Sequence, residues 1–296
     1  LKGSISYLFA FEEFMTETRV LTFADHSRHF KECVYVYPVV SRRAEGVSLG
    51  INLNINNACN WRCVYCQVEG LVRGKPERID LPKLEHELDV MLDWIVNGDF
   101  IVTHAPAGLQ RFNDICLSGN GESTLSKDFV AVTELIAKLR KKYQVAQSVK
   151  TILISNGSEI HTAETQHGLK IIAENNGELW FKIDRATISG INEVNQVKLH
   201  LDGIVERLKI AAKICPTYIQ SCWFKTSGKD PDIMEVNEFI NLMSNIKHYI
   251  QGILLYSTAR NPALPEGNNI SQVNIDFLAE MALKLEGLDI KVKYYQ

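Results

Sequence analysis

Short runs rich in β-branched and aromatic residues alternate along this chain with longer runs whose apolar positions recur every three or four residues. Val47 to Leu53 reads as the first strand. A helix is predicted from Asp80, with Pro82 in its first turn. Leu84, Leu88, Met91, Leu92 and Ile95 fall on one face of it, and Gly98 closes it. Asp114 to Ser118 predicts a second strand, and Lys127 to Lys142 a helix with Phe129, Val132, Leu135, Ile136 and Leu139 as its apolar stripe. Further strands follow at Thr151 to Ile154, Leu179 to Ile183, Thr217 to Phe224 and Gly252 to Tyr256, and the last at Asp289 to Tyr294. Between them lie helical runs at Thr165 to Glu174, Leu199 to Ile214, Asp232 to Ile246 and Ile275 to Leu285.

Repeated strand–helix alternation without strand-only stretches predicts an α/β protein with a parallel sheet and helices packed outside it. About six such units and an extra strand fit an incomplete TIM-like barrel, a partial (β/α)6 barrel, better than an open doubly wound sheet. Residues 1–44 lack the alternation and read as a short N-terminal extension, leaving residues 45–296 as the barrel. At 46% hydrophobic and 23% charged, the chain has the composition of a soluble globular protein. Its apolar runs fall short of the roughly eighteen residues a membrane span needs. No basic-then-apolar leader opens it, so a cytoplasmic location is expected.

Charge narrows the partners. With 32 basic and 35 acidic residues the formal net charge is −3, which gives no overall basic excess for gripping nucleic acid. The one dense basic segment, Lys138 to Lys142, ends a predicted helix, where positive side chains suit the negative end of the dipole.

The chain has seven cysteines. Cys33, Cys116, Cys215 and Cys222 show no disulfide rhythm and read as small core residues in a reducing compartment. The other three stand together in Ala58-Cys59-Asn60-Trp61-Arg62-Cys63-Val64-Tyr65-Cys66, directly after the first strand. A structural zinc site or an electron-transfer cluster normally has a fourth protein ligand. No Cys or His follows within about fifteen residues, so a cubane held here would leave one iron open to a small chelating molecule. A zinc knuckle, or three buried thiols, is the alternative.

The Cys-x3-Cys-x2-Cys spacing, with aromatic Tyr65 before the last cysteine, resembles the radical S-adenosylmethionine superfamily. The resemblance implies a 4Fe–4S cluster on Cys59, Cys63 and Cys66, S-adenosylmethionine chelated at the open iron, and its reductive cleavage to a 5′-deoxyadenosyl radical. A flavodoxin- or ferredoxin-type electron donor is implied with it. The chemistry of such barrels gathers at the C-terminal ends of strands. After the second strand comes Ser118-Gly119-Asn120-Gly121-Glu122, which resembles the superfamily's Gly-Gly-Glu motif. That assigns Gly119, Gly121 and Glu122 to the amino end of the cofactor and the Tyr65 region to its adenine. Ser155 and Asn156, ending the third strand, are assigned to the ribose, though Asn-Gly is also a plain turn signal. On the fourth strand Lys182 and Asp184 share one face, where inward charges must pair with each other, the cofactor or substrate. Gln220 on the fifth strand and Arg260 after the sixth are further inward candidates, Arg260 as an anion clamp or equally as a solvated loop charge.

The stretches Tyr37-Pro38-Val39-Val40-Ser41-Arg42-Arg43, Phe181-Lys182-Ile183-Asp184 and Leu255-Tyr256-Ser257-Thr258-Ala259-Arg260 narrow the resemblance to bacterial proteins of the wyosine-synthase-like branch. Wyosine synthases act on a tRNA guanine, use a barrel lysine as a Schiff base with pyruvate, and carry upstream cysteines for a second cluster. Lys182 is the barrel-strand lysine here, whereas upstream there is only Cys33, which departs from the second-cluster pattern. The resemblance therefore implies a tRNA base as substrate, with Arg42, Arg43, Arg73 and Lys75 as a basic rim for phosphates. The rival classes are an activating or peptide-modifying enzyme, and a non-catalytic iron–sulfur or metal-binding regulatory protein.

Overall fold

The computed structural model describes residues 20–22, 30–41 and 45–296. In chain order its elements begin with strands β1 (Val36–Ser41), β2 (Gly46–Ile51), β3 (Ala58–Cys59) and β4 (Val72–Arg73), then helices α1 (Leu81–Val96) and α2 (Phe100–His104). β5 (Phe112–Leu117), α3 (Phe129–Lys142), β6 (Lys150–Ser155), α4 (Ala163–Glu174) and β7 (Gly177–Lys182) follow. The second half runs α5 (Ile188–Asn195), α6 (Leu201–Ala212), β8 (Thr217–Cys222), β9 (Phe224–Thr226) and α7 (Ile233–Ile246). It ends with β10 (Gly252–Tyr256), β11 (Ile270–Gln272), α8 (Ile275–Glu286) and β12 (Val292–Tyr295).

α1 shows why the pattern was readable. The Asp80 carboxylate caps it by accepting from the Lys83 amide at 3.1 Å, and Pro82 sits in the first turn. Leu84, Leu88, Met91 and Leu92 are wholly buried against the sheet, each contributing about 1.5–3 kcal/mol of burial. Glu87 breaks the apolar stripe for a physical reason. Its buried carboxylate accepts from the backbone amides of Val34, Tyr35 and Val36 at 2.9, 2.8 and 3.2 Å, fixing the entry to β1.

The main sheet has eight strands in the order β1-β2-β5-β6-β7-β8-β10-β12. All its pairings are parallel except β1 with β2. The helices pack outside, and side chains from all eight strands line a single cavity on the inner face, so the sheet curls around it. This is the expected partial barrel: six parallel crossovers and a final strand. It is left open between β1 and β12.

Some details differ from the sequence pattern. Residues 36–41, read as part of an extension, form the antiparallel edge strand β1. Pro38 disguises that strand, because proline lacks a ladder donor and is tolerated only at an edge. The run from Thr217 splits into β8 and a separate β9, which pairs with β11. α5 has no counterpart in the expected elements, being only eight residues long. Arg42 and Arg43 lie outside the described residues. Among the described residues no helix is long and apolar enough to cross a membrane.

The basic end of α3 is engaged by neighbours. Lys138 and Lys142 pair with Glu85 and Asp89 of α1 at 2.5 and 2.6 Å, and buried Arg140 donates to the Val149 carbonyl at 2.9 Å. Cys33, Cys116, Cys215 and Cys222 are buried, as small core residues should be.

Candidate active site

The cysteine loop leaves β2 at the C-terminal edge of the sheet. Two buried asparagines at its root fasten it to the loop after β5. Asn52 Oδ1 accepts from the amides of Asn54 and Asn120 at 2.9 and 3.1 Å. Asn54 Nδ2 donates to the carbonyls of Ala58 and Glu122 at 2.9 and 3.3 Å. The glycines are explained by this contact. A β-carbon at Gly119 would stand 2.3 Å from Asn52 Oδ1, and one at Gly121 only 2.1 Å from the Ala58 carbonyl oxygen. Their tight approach is thus to the cysteine loop itself.

Cys59, Cys63 and Cys66 are in no disulfide and lie half-buried on the wall of the cavity, whose volume is about 330 Å³. Burial pushes the Cys59 thiol up to about 12. Burial, then the negative Asp184, pushes Cys63 up to about 11. Among the described residues no three His, Cys, Asp or Glu side chains form a group that could hold one metal ion. A single zinc demands such convergence at about 2.3 Å from each sulfur. A cubane hangs its thiolates on different irons and does not.

Glu122 lies at the junction of two loops. Its Oε1 accepts from the Thr124 amide, the Thr124 hydroxyl and the Ser155 hydroxyl at 3.2, 2.6 and 2.8 Å, and its Oε2 from the Asn156 amide at 2.6 Å. Burial raises its pKa, against the pull of these donors. Ser155 also accepts from the Gly157 amide at 3.0 Å. Asn156 donates to Asn60 Oδ1 at 2.9 Å and accepts from the Ser158 amide at 2.9 Å. Glu122, Ser155 and Asn156 therefore all reach the cavity wall, and each also braces a loop. Oε2 of Glu122, with one donor, retains capacity for a second.

Lys182 and Asp184 face each other at 3.6 Å, as the alternation along their strand requires. Asp184 is a hub. Its Oδ2 accepts from the Tyr65 hydroxyl at 2.5 Å and from Asn195 Nδ2 at 2.7 Å, and its Oδ1 from the Cys222 amide at 2.9 Å. Lys182 donates to the Tyr256 hydroxyl at 2.9 Å and lies over the Tyr65 ring, 5.0 Å from its centroid. Burial opposes its charge, but Asp184 and Tyr256 outweigh that and hold the ammonium above the ordinary lysine range. Gln220, paired in register with Lys182, is buried and lines the cavity with its Nε2 unpartnered. Arg260 bonds Gln67 Oε1 at 2.5 Å at the rim.

The segment after β10 covers the cysteine loop. Ala263 donates its amide to the Cys66 carbonyl at 2.8 Å, Leu264 packs with Val68 and Leu71, and Glu266 pairs with Arg62 at 2.7 Å. Arg73 is exposed and turned onto the Asn60 and Gln196 carbonyls, and Lys75 is exposed nearby. Sequence reasoning missed Asn60, Asn195 and Tyr256. Asn60 stood inside the cysteine motif as its only uncharged polar spacer and was open to notice. Asn195 carried no signal.

The fold is one that solved radical S-adenosylmethionine proteins share. No protein-family model matches the chain. Its sequence relatives include a UPF0026 protein of Helicobacter pylori, 30% identical over 134 residues, or 45% of this chain and 38% of that protein. Another, from Synechocystis sp., is 28% identical over 137 residues, or 46% of this chain and 44% of that protein. These matches span less than half the length of the curated relatives. Among solved structures, TYW1 with a lysine–pyruvate adduct bound aligns at TM-score 0.54 and 17% identity, covering 81% of this chain and 73% of that one. A radical SAM methyltransferase from Sphaerobacter thermophilus aligns at TM-score 0.60 and 10% identity, covering 88% and 69%. At such identities the likeness is one of fold.

Proposed function

We propose that this protein is a radical S-adenosylmethionine enzyme. The observation that carries the reading is three half-buried cysteines in Cys-x3-Cys-x2-Cys spacing, none in a disulfide, on the wall of the barrel's inner cavity. That donor set fits a 4Fe–4S cluster with one iron left to a small ligand. Cys59, Cys63 and Cys66 would hold the cluster. The cofactor, when bound, supplies a 5′-deoxyadenosyl radical through reductive cleavage, with the electron coming from a flavodoxin- or ferredoxin-type donor.

The chain's own residues do the rest. Gly119 and Gly121 keep the backbone of the second loop against the cysteine loop. Glu122 Oε2 offers an acceptor suited to an ammonium, and Gln220 Nε2 a buried donor suited to an oxygen. Leu264, with Val68 and Leu71, forms an apolar cluster against which Cys59 and Cys66 pack. Lys182 is the lysine on the cavity wall among the described residues. If an adduct like that of TYW1 forms here, the Lys182 ammonium must first lose a proton that the neighbouring Asp184 carboxylate stabilises on it.

For the substrate we favour a tRNA base over a protein, on the resemblance of the Tyr37 to Arg43, Phe181 to Asp184 and Leu255 to Arg260 stretches to the wyosine-synthase-like branch. Anaerobic reconstitution with iron and sulfide, then dithionite and S-adenosylmethionine, should yield 5′-deoxyadenosine, and Cys63→Ala should abolish both cluster absorbance and product. An intact cluster without that product would favour the regulatory reading. Binding of bulk tRNA at two salt concentrations tests the substrate class. Negligible affinity with a flat salt response would remove it.

A further inference from the structure

The C-terminal end of α5 is built onto the middle cysteine. The last carbonyls of a helix lack intrahelical partners. Here those of Val194 and Asn195 accept from the amides of Val64 and Arg62 at 2.9 and 3.2 Å, on either side of Cys63. Gln196, in the left-handed region at φ 54°, then turns the chain away. The Asn195 side chain is 1% exposed and reaches the same cysteine: its Nδ2 lies 3.3 Å from Cys63 Sγ and 2.7 Å from Asp184 Oδ2.

Both neighbours of that amide nitrogen are acceptors, so its orientation is determined. A flipped amide would set its oxygen against a carboxylate and a sulfur. Asp184 is itself fixed by the Tyr65 hydroxyl and the Cys222 amide. The result is one N–H aimed at a sulfur and held there by a buried carboxylate.

We propose that Asn195 is a positioning residue that raises the reduction potential of the cluster by donating an N–H···S hydrogen bond to Cys63. This rests on the reading of Cys63 as a cluster ligand. Hydrogen bonds to the sulfurs are among the determinants of such potentials. Reduction adds negative charge to the cluster, so the donor stabilises the reduced form more than the oxidised. Losing it lowers the potential. A bond of ordinary net strength corresponds to about tenfold in the reduction equilibrium, or about 59 mV for one electron.

The test uses the whole 296-residue chain reconstituted anaerobically, with iron and sulfide content, electron paramagnetic resonance and a redox titration as readouts. Asn195→Leu keeps the volume and the backbone carbonyls but removes the donor; Asn195→Ser keeps a shorter polar group. Glu193→Ala, on the exposed face of the same turn, is the control. Both Asn195 variants should load iron as the parent does, and Asn195→Leu should titrate about tenfold harder to reduce, with Glu193→Ala unmoved. An unchanged potential in loaded Asn195→Leu overturns the proposal. Failure of both Asn195 variants to load beside a loaded control also overturns it, since the role would then be to hold the loop. A parent protein that assembles no cluster defeats the proposed function instead.

Discussion

The Tyr65 hydroxyl donates to Asp184 Oδ2 at 2.5 Å, tying the cysteine loop to the end of β7. Tyr65 stands between Cys63 and Cys66 in sequence, so this bond fixes the loop from its centre. The Tyr65 ring also covers the Lys182 ammonium. One carboxylate thus sets a loop, a lysine, the Cys222 amide and the Asn195 side chain.

Removing that carboxylate should be costly. Asp184→Ala strands the buried Lys182 ammonium and leaves three donors unsatisfied, and breaking a buried pair costs about 3–5 kcal/mol. Urea denaturation should show a loss of unfolding free energy of that size. Adding Lys182→Met should recover part of the loss, because the stranded charge goes with it. Strict additivity of the two substitutions would mean that Lys182 and Asp184 are not energetically coupled.

Gly121 tests whether the two loops must touch. A methyl group there meets the Ala58 carbonyl oxygen at 2.1 Å and Asn54 Nδ2 at 2.7 Å, and the first is backbone that cannot swing aside. Gly121→Ala should push the cysteine loop off the β5 loop and lower the iron bound after reconstitution. Gly108→Ala, where a β-carbon meets nothing within 4 Å, is the comparison, although its φ of +83° adds a small strain of its own. Equal iron content in the two variants would contradict the contact.

How much of this was visible in the chain follows from where each signal lives. The order of strands and helices is written in apolar periodicity, a local property, and Asp80 and Pro82 marked the start of α1 correctly. The cysteine spacing is local too. β1 was hidden because Pro38 and its edge position weaken the strand pattern, and the Glu87 carboxylate that secures its start comes from more than fifty residues away. Asn195 was hidden more deeply. It lies on a two-turn helix too short for periodicity to reveal, and its partner Cys63 is 132 positions away. The charges on β7 were legible as a pair, but the Tyr65, Asn195 and Cys222 donors that complete the hub were not.

The thiols offer a pH-dependent readout in metal-free protein. Only the thiolate is nucleophilic, and an ordinary cysteine titrates near 8.5. With Cys63 raised by burial to about 11, its thiolate fraction climbs tenfold for each unit of pH well beyond that point. Iodoacetamide labelling of Cys63, followed by mass spectrometry, should therefore keep accelerating from pH 7 to pH 10. The sign for stability follows from the same shift. A proton held more tightly in the folded state than in the unfolded one stabilises the fold at neutral pH, and that contribution is lost as pH rises toward 11. Asp184→Asn removes a negative neighbour that raises the thiol, so labelling at pH 8 should be faster in that variant. A plateau in Cys63 labelling near pH 8.5 in the parent protein would show that the thiol is neither desolvated nor opposed by Asp184.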